Sequence, residues 1–237
     1  MLINGDCIEE MAKLDDASID IIIADLPYGR FKNLNWDNCI DLDKMWEQIW
    51  RISKPTTPVF LFGDFKFCNI LMNSQPKWFK YEIAWVKTQS TTPLLAKRMP
   101  GRATEYILVF YKKQPVYNIC KYHTSVKSTQ NHFSPQLPYM GHSEPHLGRV
   151  CNLYTPSLPL NVIQSKIVKK KIIKNITEKP QIVLERLLKY YSNEGDTCLD
   201  FTMGSGSCGV ACKTLNRNFI GIELKKEHFD VCVERLE

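Results

Sequence analysis

The sequence predicts an α/β protein built around a doubly wound sheet. Short apolar runs that suit buried strands alternate along the chain with segments whose apolar residues recur at helical spacing. Two of these strands end in turns of unusual composition, at residues 25–29 and 202–206. Open sheets of this kind bind ligands beyond the carboxyl ends of their parallel strands, so the two turns are the candidate functional site.

The first half of the chain contains predicted strands at 2–4, 19–25, 58–62, 81–87 and 105–113. A helix is predicted between the first two strands, and further helices at 42–53 and 65–73. The helix at 42–53 has apolar residues three and four positions apart, and Pro55 stops it. The strand at 19–25 is almost continuously apolar, which is typical of a parallel strand buried on both faces.

From Gln114 to about Ile163 the pattern changes, because prolines and polar clusters replace the periodicity. We expect an irregular insert there, outside the parent sheet. The lysine-rich run IVKKKIIK at 167–174 is compatible with a short strand. Beyond it the alternation returns, with helices predicted at 179–193, 206–216 and 226–237 and strands at 197–201 and 218–223.

Composition excludes several classes of protein. The 237 residues, 44% of them hydrophobic, can bury one sizeable core. No apolar run reaches the 18 residues of a membrane span, and the opening MLINGDCIEEM carries acids where a signal peptide carries positive charge. Nine cysteines, an odd number without a CxxC pair, predict reduced core thiols in a cytoplasmic protein.

Basic residues are concentrated in the middle third of the chain. Residues 87–175 contain fourteen Lys and Arg against two acids, Glu105 and Glu144, a net charge of +12, whereas the remaining residues carry −6. Four of the five histidines lie in the same segment. This asymmetry favours a polyanionic partner such as nucleic acid, although a solvated basic face would have the same composition.

The turn at 202–206 has the features of a nucleotide-binding turn. Gly204 and Gly206 allow a tight turn and close backbone approach to a ligand, and the helix that follows offers free N–H groups. Glu223 ends the next strand, where a carboxylate can accept hydrogen bonds from two ribose hydroxyls. A nucleoside cofactor is therefore favoured over a purely structural turn. The cofactor turn comes last along the chain and the acidic turn at 25–29 comes first.

These two turns, in this order, resemble those of the β class of S-adenosylmethionine-dependent amino-methyltransferases acting on DNA, particularly the small adenine-N6 enzymes of phages and prophages. Asp25-Leu26-Pro27-Tyr28 is similar to the catalytic DPPY motif, and FTMGSG at 201–206 to the FxGxG cofactor motif. Thr177 to Pro180 matches the TEKP or TQKP element. Asn4 to Cys7 matches the opening strand turn, whose acid usually meets the cofactor's adenine. The likeness covers most of the chain.

The resemblance implies a Rossmann-like methyltransferase sheet, circularly permuted, with a catalytic half at 1–113, a target-recognition insert at 114–175 and a cofactor-binding half at 176–237. It implies S-adenosylmethionine as cofactor, S-adenosylhomocysteine as product, and no metal. The implied catalytic residues are Asp25, Leu26, Pro27 and Tyr28. The implied cofactor-binding residues are Asp6, Cys7, Thr177, Lys179, Asp200, Phe201, Thr202, Met203, Gly204, Gly206 and Glu223.

The acidic turn suits methylation of a base amine, which is a poor nucleophile because its lone pair is delocalised into the ring. Asp25 and a backbone carbonyl of Leu26 or Pro27 can accept hydrogen bonds from the two N–H groups, and Pro27 holds the turn rigid. Tyr28 offers a ring on which a base flipped out of the duplex can stack. The reaction would be a direct displacement without a covalent enzyme intermediate.

Three positions depart from the family pattern. Leu26 replaces a second proline, Thr104-Glu105 stands where His-Glu is usual, and Asn175 replaces a histidine. Cytosine-N4 methylation uses the same geometry, but those enzymes more often carry serine where this chain has Asp25. RNA as substrate, or a binding protein that keeps the cofactor fold without catalysis, are the remaining alternatives.

Double-stranded DNA is the expected partner, and the compact basic loop KRMPGR supplies candidate phosphate contacts at Lys97, Arg98 and Arg102. The resemblance points to a bacterial or phage-encoded cytoplasmic enzyme with no membrane partner. It leaves open a homodimer and a partner restriction endonuclease. The recognition sequence cannot be deduced from the residues of the insert.

Overall fold

The computed structural model describes residues 1–28, 40–90, 92, 97–119, 159–166 and 178–237. One compact unit comprises Met1–Asn118 and Leu160–Glu237. Within the described residues it contains a single eight-stranded sheet with helices packed on both faces. None of the helices in these ranges has the length and apolar character needed to cross a bilayer.

The strands are β1 (Leu2–Asn4), β2 (Ile21–Ala24), β3 (Val59–Gly63), β4 (Phe79–Lys87), β5 (Thr104–Phe110), β6 (Val162–Ser165), β7 (Thr197–Asp200) and β8 (Asn218–Glu223). The helices are α1 (Cys7–Met11), α2 (Leu42–Ile52), α3 (Phe65–Ser74), α4 (Gln181–Tyr191), α5 (Ser207–Thr214) and α6 (Lys226–Leu236). All of the predicted strands and helices that fall on described residues are present, with small differences at their ends.

The strands are ordered β1-β8-β7-β2-β3-β5-β4-β6 across the sheet. Neighbouring strands are parallel except at β5, which runs antiparallel to both β3 and β4. The predicted doubly wound α/β fold is confirmed. Because β2 lies beside β7, the first and last parts of the chain form one sheet.

Strand β6 is an addition that the sequence did not predict. Its four residues, VIQS, lie within the segment expected to be an irregular insert, yet they pair in parallel with the end of β4. A run of four residues is too short to show the alternation that identifies a strand in a sequence. The backbone pairing with β4 holds these residues in an extended conformation. The run IVKKKIIK and most of the insert lie outside the described residues, so the division at 114 and 175 stays a prediction.

Strand β2 shows why the central strands have almost continuously apolar sequences. Ile21 and Ile23 pack into a cluster with α4 and α5 on one face of the sheet, while Ile22 and Ala24 pack with α1, α2 and α3 on the other. All four residues are buried. A parallel strand covered by helices on both faces has no solvent-facing positions, so it does not alternate between apolar and polar residues.

The six cysteines of the described residues are buried and form no disulfide, as core thiols should. Three of them, Cys198, Cys208 and Cys212, have their sulfur atoms within 4.8 Å of one another where α5 packs against β7. The other three positions, 39, 120 and 151, lie outside the described residues. The described cysteines are therefore free thiols buried in the core.

The backbone conformation of Gly206 leads to a stability prediction. Gly206 has φ +77°, and a Cβ atom there would lie 2.4 Å from the sulfur of Cys232. Gly195 has a similar φ of +84° but no heavy atom within 4 Å of such a Cβ, so it is a matched control. Gly195→Ala should cost about 1–2 kcal/mol of unfolding free energy from backbone strain.

Gly206→Ala should cost about 1–3 kcal/mol more than Gly195→Ala, because the added methyl group overpacks the contact with Cys232. Urea denaturation of both variants measures the difference. Equal losses would show that the backbone, and not the contact, makes glycine necessary at position 206.

Candidate active site

The register of β2 against β7 brings the two turns together. Ile21 pairs with Cys198 and Ile22 with Leu199, so the residues that follow both strands leave the sheet side by side. The Thr202 hydroxyl donates a hydrogen bond of 3.2 Å to the backbone carbonyl of Asp25. The turn at 25–28 and the turn at 202–206 therefore form one site at the carboxyl edge of the parallel strands.

The carboxylate of Asp25 is held by two donors. The Tyr28 hydroxyl donates to Asp25 Oδ1 at 3.0 Å, and Lys179 Nζ donates to Asp25 Oδ2 at 2.5 Å. Burial raises the pKa of Tyr28 well above its usual value, and the charges of Asp25 and Glu105 add to the effect. The phenol therefore stays protonated and acts as a donor to the carboxylate.

The rest of the acidic turn anchors it to the core. Leu26 is buried at 3% exposure in the cluster that α1, α2 and α3 cover. The Tyr28 ring packs on Phe67, with ring centroids 4.9 Å apart. At the second position of the Asp25–Tyr28 motif, the apolar side chain of Leu26 therefore packs into the core and holds the turn against it. Pro27 is half-buried beside it, and Gly29 lies outside the described residues.

Lys179 lies in a network of charges around Asp25. Its Nζ is 3.7 Å from Glu105 Oε2, and Lys87 Nζ donates a hydrogen bond to the other oxygen of Glu105. Burial lowers the pKa of Lys179, but the carboxylates of Asp25 and Glu105 outweigh it and the pKa rises. Burial raises the pKa of Glu105, but Lys179 and Lys87 outweigh it and the pKa falls. Lys179 and Glu105 therefore both carry charge at neutral pH.

Sequence reasoning placed Lys179 among the cofactor-binding residues and did not identify Glu105 or Lys87 as part of the site. The structure places Lys179 against Asp25, and it also lies at the pocket described below. One signal for Glu105 was present, because it is one of only two acids in the basic segment 87–175.

Glu223 is held in the position expected for a ribose-binding acid. The backbone N–H of Gly204 donates to its Oε2 and that of Lys225 to its Oε1, both at 2.9 Å. A carboxylate oxygen has two lone pairs, so these bonds leave acceptor capacity on each oxygen. The positive φ values of Gly204, +53°, and Gly206, +77°, form the turn that brings the Gly204 backbone to this carboxylate.

Asp6 and Cys7 lie beside Glu223, because Asn4 pairs with Glu223 in the β1–β8 ladder. Asp6 Oδ1 caps α1 by accepting the Ile8 N–H at 2.9 Å. Cys7 is buried next to it, and burial, followed by the Asp6 charge, raises its pKa to about 12. The turn at Asn4–Cys7 therefore starts helix α1, and it does so next to Glu223, the acid predicted to bind the ribose.

A small pocket, open to solvent, lies between the ends of β2 and β7. Its lining includes three acids, Asp25, Glu178 and Asp200. Lys179 pairs with Asp25 and Arg235 pairs with Glu178, each at 2.5 Å. Burial raises the pKa of Asp200 well above its usual value, and the Asp25 and Glu223 charges raise it further against the opposing Thr202 N–H. Asp200 is therefore the lining carboxyl best placed to receive a cationic group, such as the sulfonium or ammonium of S-adenosylmethionine.

The predicted cofactor residues divide by position. Five of them line the pocket, namely Lys179, Asp200, Thr202, Met203 and Gly204. Phe201 is buried at 1% exposure in the core beneath the turn, so it supports the turn from below. Thr177 lies outside the described residues.

The basic loop lies at the same edge of the sheet as Asp25. Strand β5 runs antiparallel to β3, with Tyr106 opposite Gly63, so the residues that precede β5 lie where the parallel strands end. Lys97 and Arg98 are exposed there. The Arg102 side chain is 55% exposed and lies 4.0 Å from Asp64. The three residues predicted to contact DNA are thus brought to the edge that carries the pocket.

The fold and the site define a doubly wound α/β protein with a pocket between a glycine turn and a carboxylate turn. A model of the N6/N4 methylase family, described as DNA methylase, matches residues 19–234. The chain belongs to this family and is a DNA methyltransferase.

Relatives of similar sequence are bacterial type II methyltransferases. M.HpaI of Haemophilus parainfluenzae is 30% identical over 253 residues, which span 100% of this chain and 74% of the relative. M2.DpnII of Streptococcus pneumoniae is 28% identical over 262 residues, which span 100% of this chain and 89% of that protein. These alignments cover the basic middle segment as well as both halves of the sheet.

Solved structures show the same fold. The M1.HpyAVI–SAM complex matches with a TM-score of 0.68 at 24% identity, covering 100% of this chain and 98% of that one. The cytosine-N4-specific PvuII DNA methyltransferase matches with a TM-score of 0.72 at 15% identity, covering 100% and 86%. The fold alone therefore does not identify the base that is methylated.

Asp200 provides a test of the acid-rich pocket. Asp200→Asn removes a carboxyl group whose ionisation is opposed by burial, so the free energy of unfolding at pH 7 should rise by about 0.5–2 kcal/mol. Affinity for S-adenosylmethionine should fall about tenfold to a hundredfold, the value of a hydrogen bond to a charged group. Because the folded-state pKa is raised, the stability gain should be absent below about pH 4 and should grow as the pH rises through that pKa.

Urea denaturation at several pH values and calorimetric titration with the cofactor measure both effects of Asp200→Asn. The exposed Asp15→Asn is the matched control and should change neither quantity. A destabilised variant with wild-type cofactor affinity would contradict the assignment of Asp200 to the ligand site.

Proposed function

We propose that this DNA methyltransferase transfers the methyl group of S-adenosylmethionine to the N6 amine of an adenine flipped out of double-stranded DNA. The observation that carries the proposal is the position of the Asp25 carboxylate, fixed by two donors and directly beside the glycine turn. The predicted cofactor agrees with the family and with the glycine turn that lines the pocket.

Asp25 would accept a hydrogen bond from the adenine amine and orient its nitrogen toward the cofactor. As the nitrogen attacks, positive charge develops on it, and a carboxylate fixed in advance stabilises that charge without reorganising. Tyr28 and Lys179 each donate one bond to the carboxylate, so each oxygen keeps a lone pair for the amine. When bound, S-adenosylmethionine would supply the electrophilic methyl group; the N–C bond would form as the C–S bond breaks, S-adenosylhomocysteine would leave, and the amine nitrogen would lose one proton to solvent.

The protein's other residues hold the reactants in place. Glu223 would accept the ribose hydroxyls, and Asp200 would bind a cationic group of the cofactor. Tyr28 would stack on the flipped base and offset part of the cost of unstacking it. Most of the acceleration then comes from the alignment of nitrogen, methyl carbon and sulfur.

Cytosine-N4 methylation is the second candidate, because the PvuII enzyme of that specificity has the same fold. Its exocyclic amine would meet the same carboxylate in the same geometry. Asp25 favours adenine, since serine is more usual at this position in cytosine-N4 enzymes.

Transfer of a tritiated methyl group from the cofactor to bulk DNA, followed by nucleoside analysis, tests the proposal. We expect label in N6-methyladenine. Label in N4-methylcytosine would assign the second candidate, and transfer to RNA alone would overturn DNA as the substrate. A protein that binds DNA and cofactor yet transfers no label would be a binding module.

Asp25 and Glu223 should separate catalysis from cofactor binding. Asp25→Ala should lower turnover by about a thousandfold, the upper range for loss of one electrostatic group, and leave cofactor affinity nearly unchanged. Glu223→Ala should weaken cofactor binding first, by about 2–4 kcal/mol for two hydrogen bonds to a carboxylate. Single-turnover assays and calorimetric titration of both variants measure the two effects. Wild-type turnover in Asp25→Ala would remove Asp25 from the mechanism.

The basic loop should control DNA affinity through phosphate contacts. Each neutralised phosphate releases condensed counterions, so DNA affinity should fall steeply as salt rises from 50 to 200 mM. Replacing Lys97, Arg98 and Arg102 together with alanine should weaken DNA binding and reduce the salt slope by about 3, without changing cofactor affinity.

A charge-matched control is the triple alanine variant of Lys13, Lys189 and Lys213, which lie at the carboxyl ends of α1, α4 and α5. Helices that follow parallel strands run back to the opposite edge of the sheet, so this variant should keep the wild-type salt slope. If the loop variant also keeps the wild-type slope and affinity, the phosphate contacts lie elsewhere in the chain.

A further inference from the structure

We propose that Glu105 is a positioning residue for methyl transfer, which fixes Lys179 and, through Lys179, the carboxylate of Asp25. This inference rests on the proposed function, and it assigns a role to a residue outside the acidic turn and the glycine turn. Lys87 completes the arrangement by balancing the charge of Glu105.

The sheet order explains how the contact is made. Asp25 follows β2, Glu105 lies on β5, and β3 runs between these two strands. Lys179 Nζ lies 5.0 Å from the ring centroid of Phe62 on β3. The lysine therefore crosses over the middle strand, with Asp25 on one side and Glu105 on the other, and reaches both carboxylates at once.

The distances show a division of roles. Lys179 is 2.5 Å from Asp25 Oδ2 but 3.7 Å from Glu105 Oε2, so Asp25 receives the hydrogen bond and Glu105 attracts the ammonium by charge. Lys87, whose Nζ lies 4.6 Å from the centroid of the Trp85 ring, bonds the second oxygen of Glu105. Charges alternate from Asp25 to Lys87, and the group of four is neutral.

The arrangement is costly for the fold alone. The Lys179 side chain is only 10% exposed and that of Lys87 8%, so two ammonium groups lose most of their hydration. Glu105 Oε2 is buried and accepts no hydrogen bond among the described residues. The Lys179 ammonium, 3.7 Å away, is the charge that faces this oxygen. Because buried ion pairs rarely stabilise a fold more than apolar packing does, the arrangement is better explained by the site than by stability.

The charge of Glu105 would help to keep the Asp25 carboxylate in a fixed orientation. A carboxylate that accepts an amine in a near-attack geometry must be held within about 0.5 Å. With Glu105 present, Lys179 is attracted from two sides and keeps its bond to Asp25 Oδ2. With the charge of Glu105 removed, Lys179 is attracted by Asp25 alone, and both side chains are free to rotate together.

Glu105→Gln removes the charge but keeps the size of the side chain. We expect kcat for methyl transfer to fall about tenfold to a hundredfold, the cost of a misplaced reacting group. The DNA KM and the cofactor Kd should stay within about twofold of wild type, since this side chain touches neither ligand in the proposal. Glu82→Gln on the exposed face of the neighbouring strand β4 is the matched control and should keep wild-type kcat.

A double-mutant cycle with Lys179→Met separates positioning from general destabilisation. If Glu105 acts through Lys179, then Glu105→Gln should have no further effect on kcat once Lys179 is replaced. Multiplied losses in the double variant, or a wild-type kcat in Glu105→Gln, would overturn the proposal.

Different results would overturn adenine methylation and the positioning role of Glu105. A wild-type protein that methylates no adenine overturns the proposed function, whereas an active wild type with an equally active Glu105→Gln overturns only the role of Glu105. If Glu105→Gln unfolds, as judged by its thermal melting curve, Glu105→Asp provides the test because it keeps the charge with one methylene fewer. A folded Glu105→Asp with wild-type kcat, despite its altered reach, would also overturn the positioning role.

Discussion

The parallel pairing of β2 with β7 is the constraint on which the site depends. These strands are about 175 residues apart in the chain, yet their register places the residues after Ile22 beside those after Leu199. Sliding one strand by a single residue would exchange its two faces and move Asp25 away from Thr202. The carboxylate turn, the glycine turn and the pocket between them therefore exist only when both halves of the chain have joined one sheet.

Charge is the second feature that shapes the molecule. Several carboxyl groups line the pocket, and burial raises the pKa of Asp200, with a further increase from the charges of Asp25 and Glu223. The exposed bases of the loop at 97–102 lie at the same edge of the sheet, so the surface is suited to a polyanion and the pocket to a cation.

How far the sequence predicts this structure depends on how local each feature is. The acidic turn and the glycine turn were identified because each is a contiguous run whose residue types have a direct chemical meaning. The hydrogen bond between Lys179 and Asp25 could not be predicted in the same way, because it joins residues 154 positions apart and depends on the order of the strands. Strand β6 was not predicted because its four residues are too few to show an alternating pattern, and its extended conformation depends on pairing with β4.

The central claim is that the Asp25 carboxylate faces the methyl group of the bound cofactor. The orientation of the cofactor relative to Asp25 is therefore the most direct test. A crystal structure of the protein with S-adenosylmethionine provides it. We predict that the ribose hydroxyls bind Glu223 and that the methyl group points toward Asp25 and Tyr28, with room for an amine nitrogen about 3–3.5 Å away. A cofactor bound away from the ends of β2 and β7, or with its methyl group directed away from Asp25, would contradict the proposed mechanism.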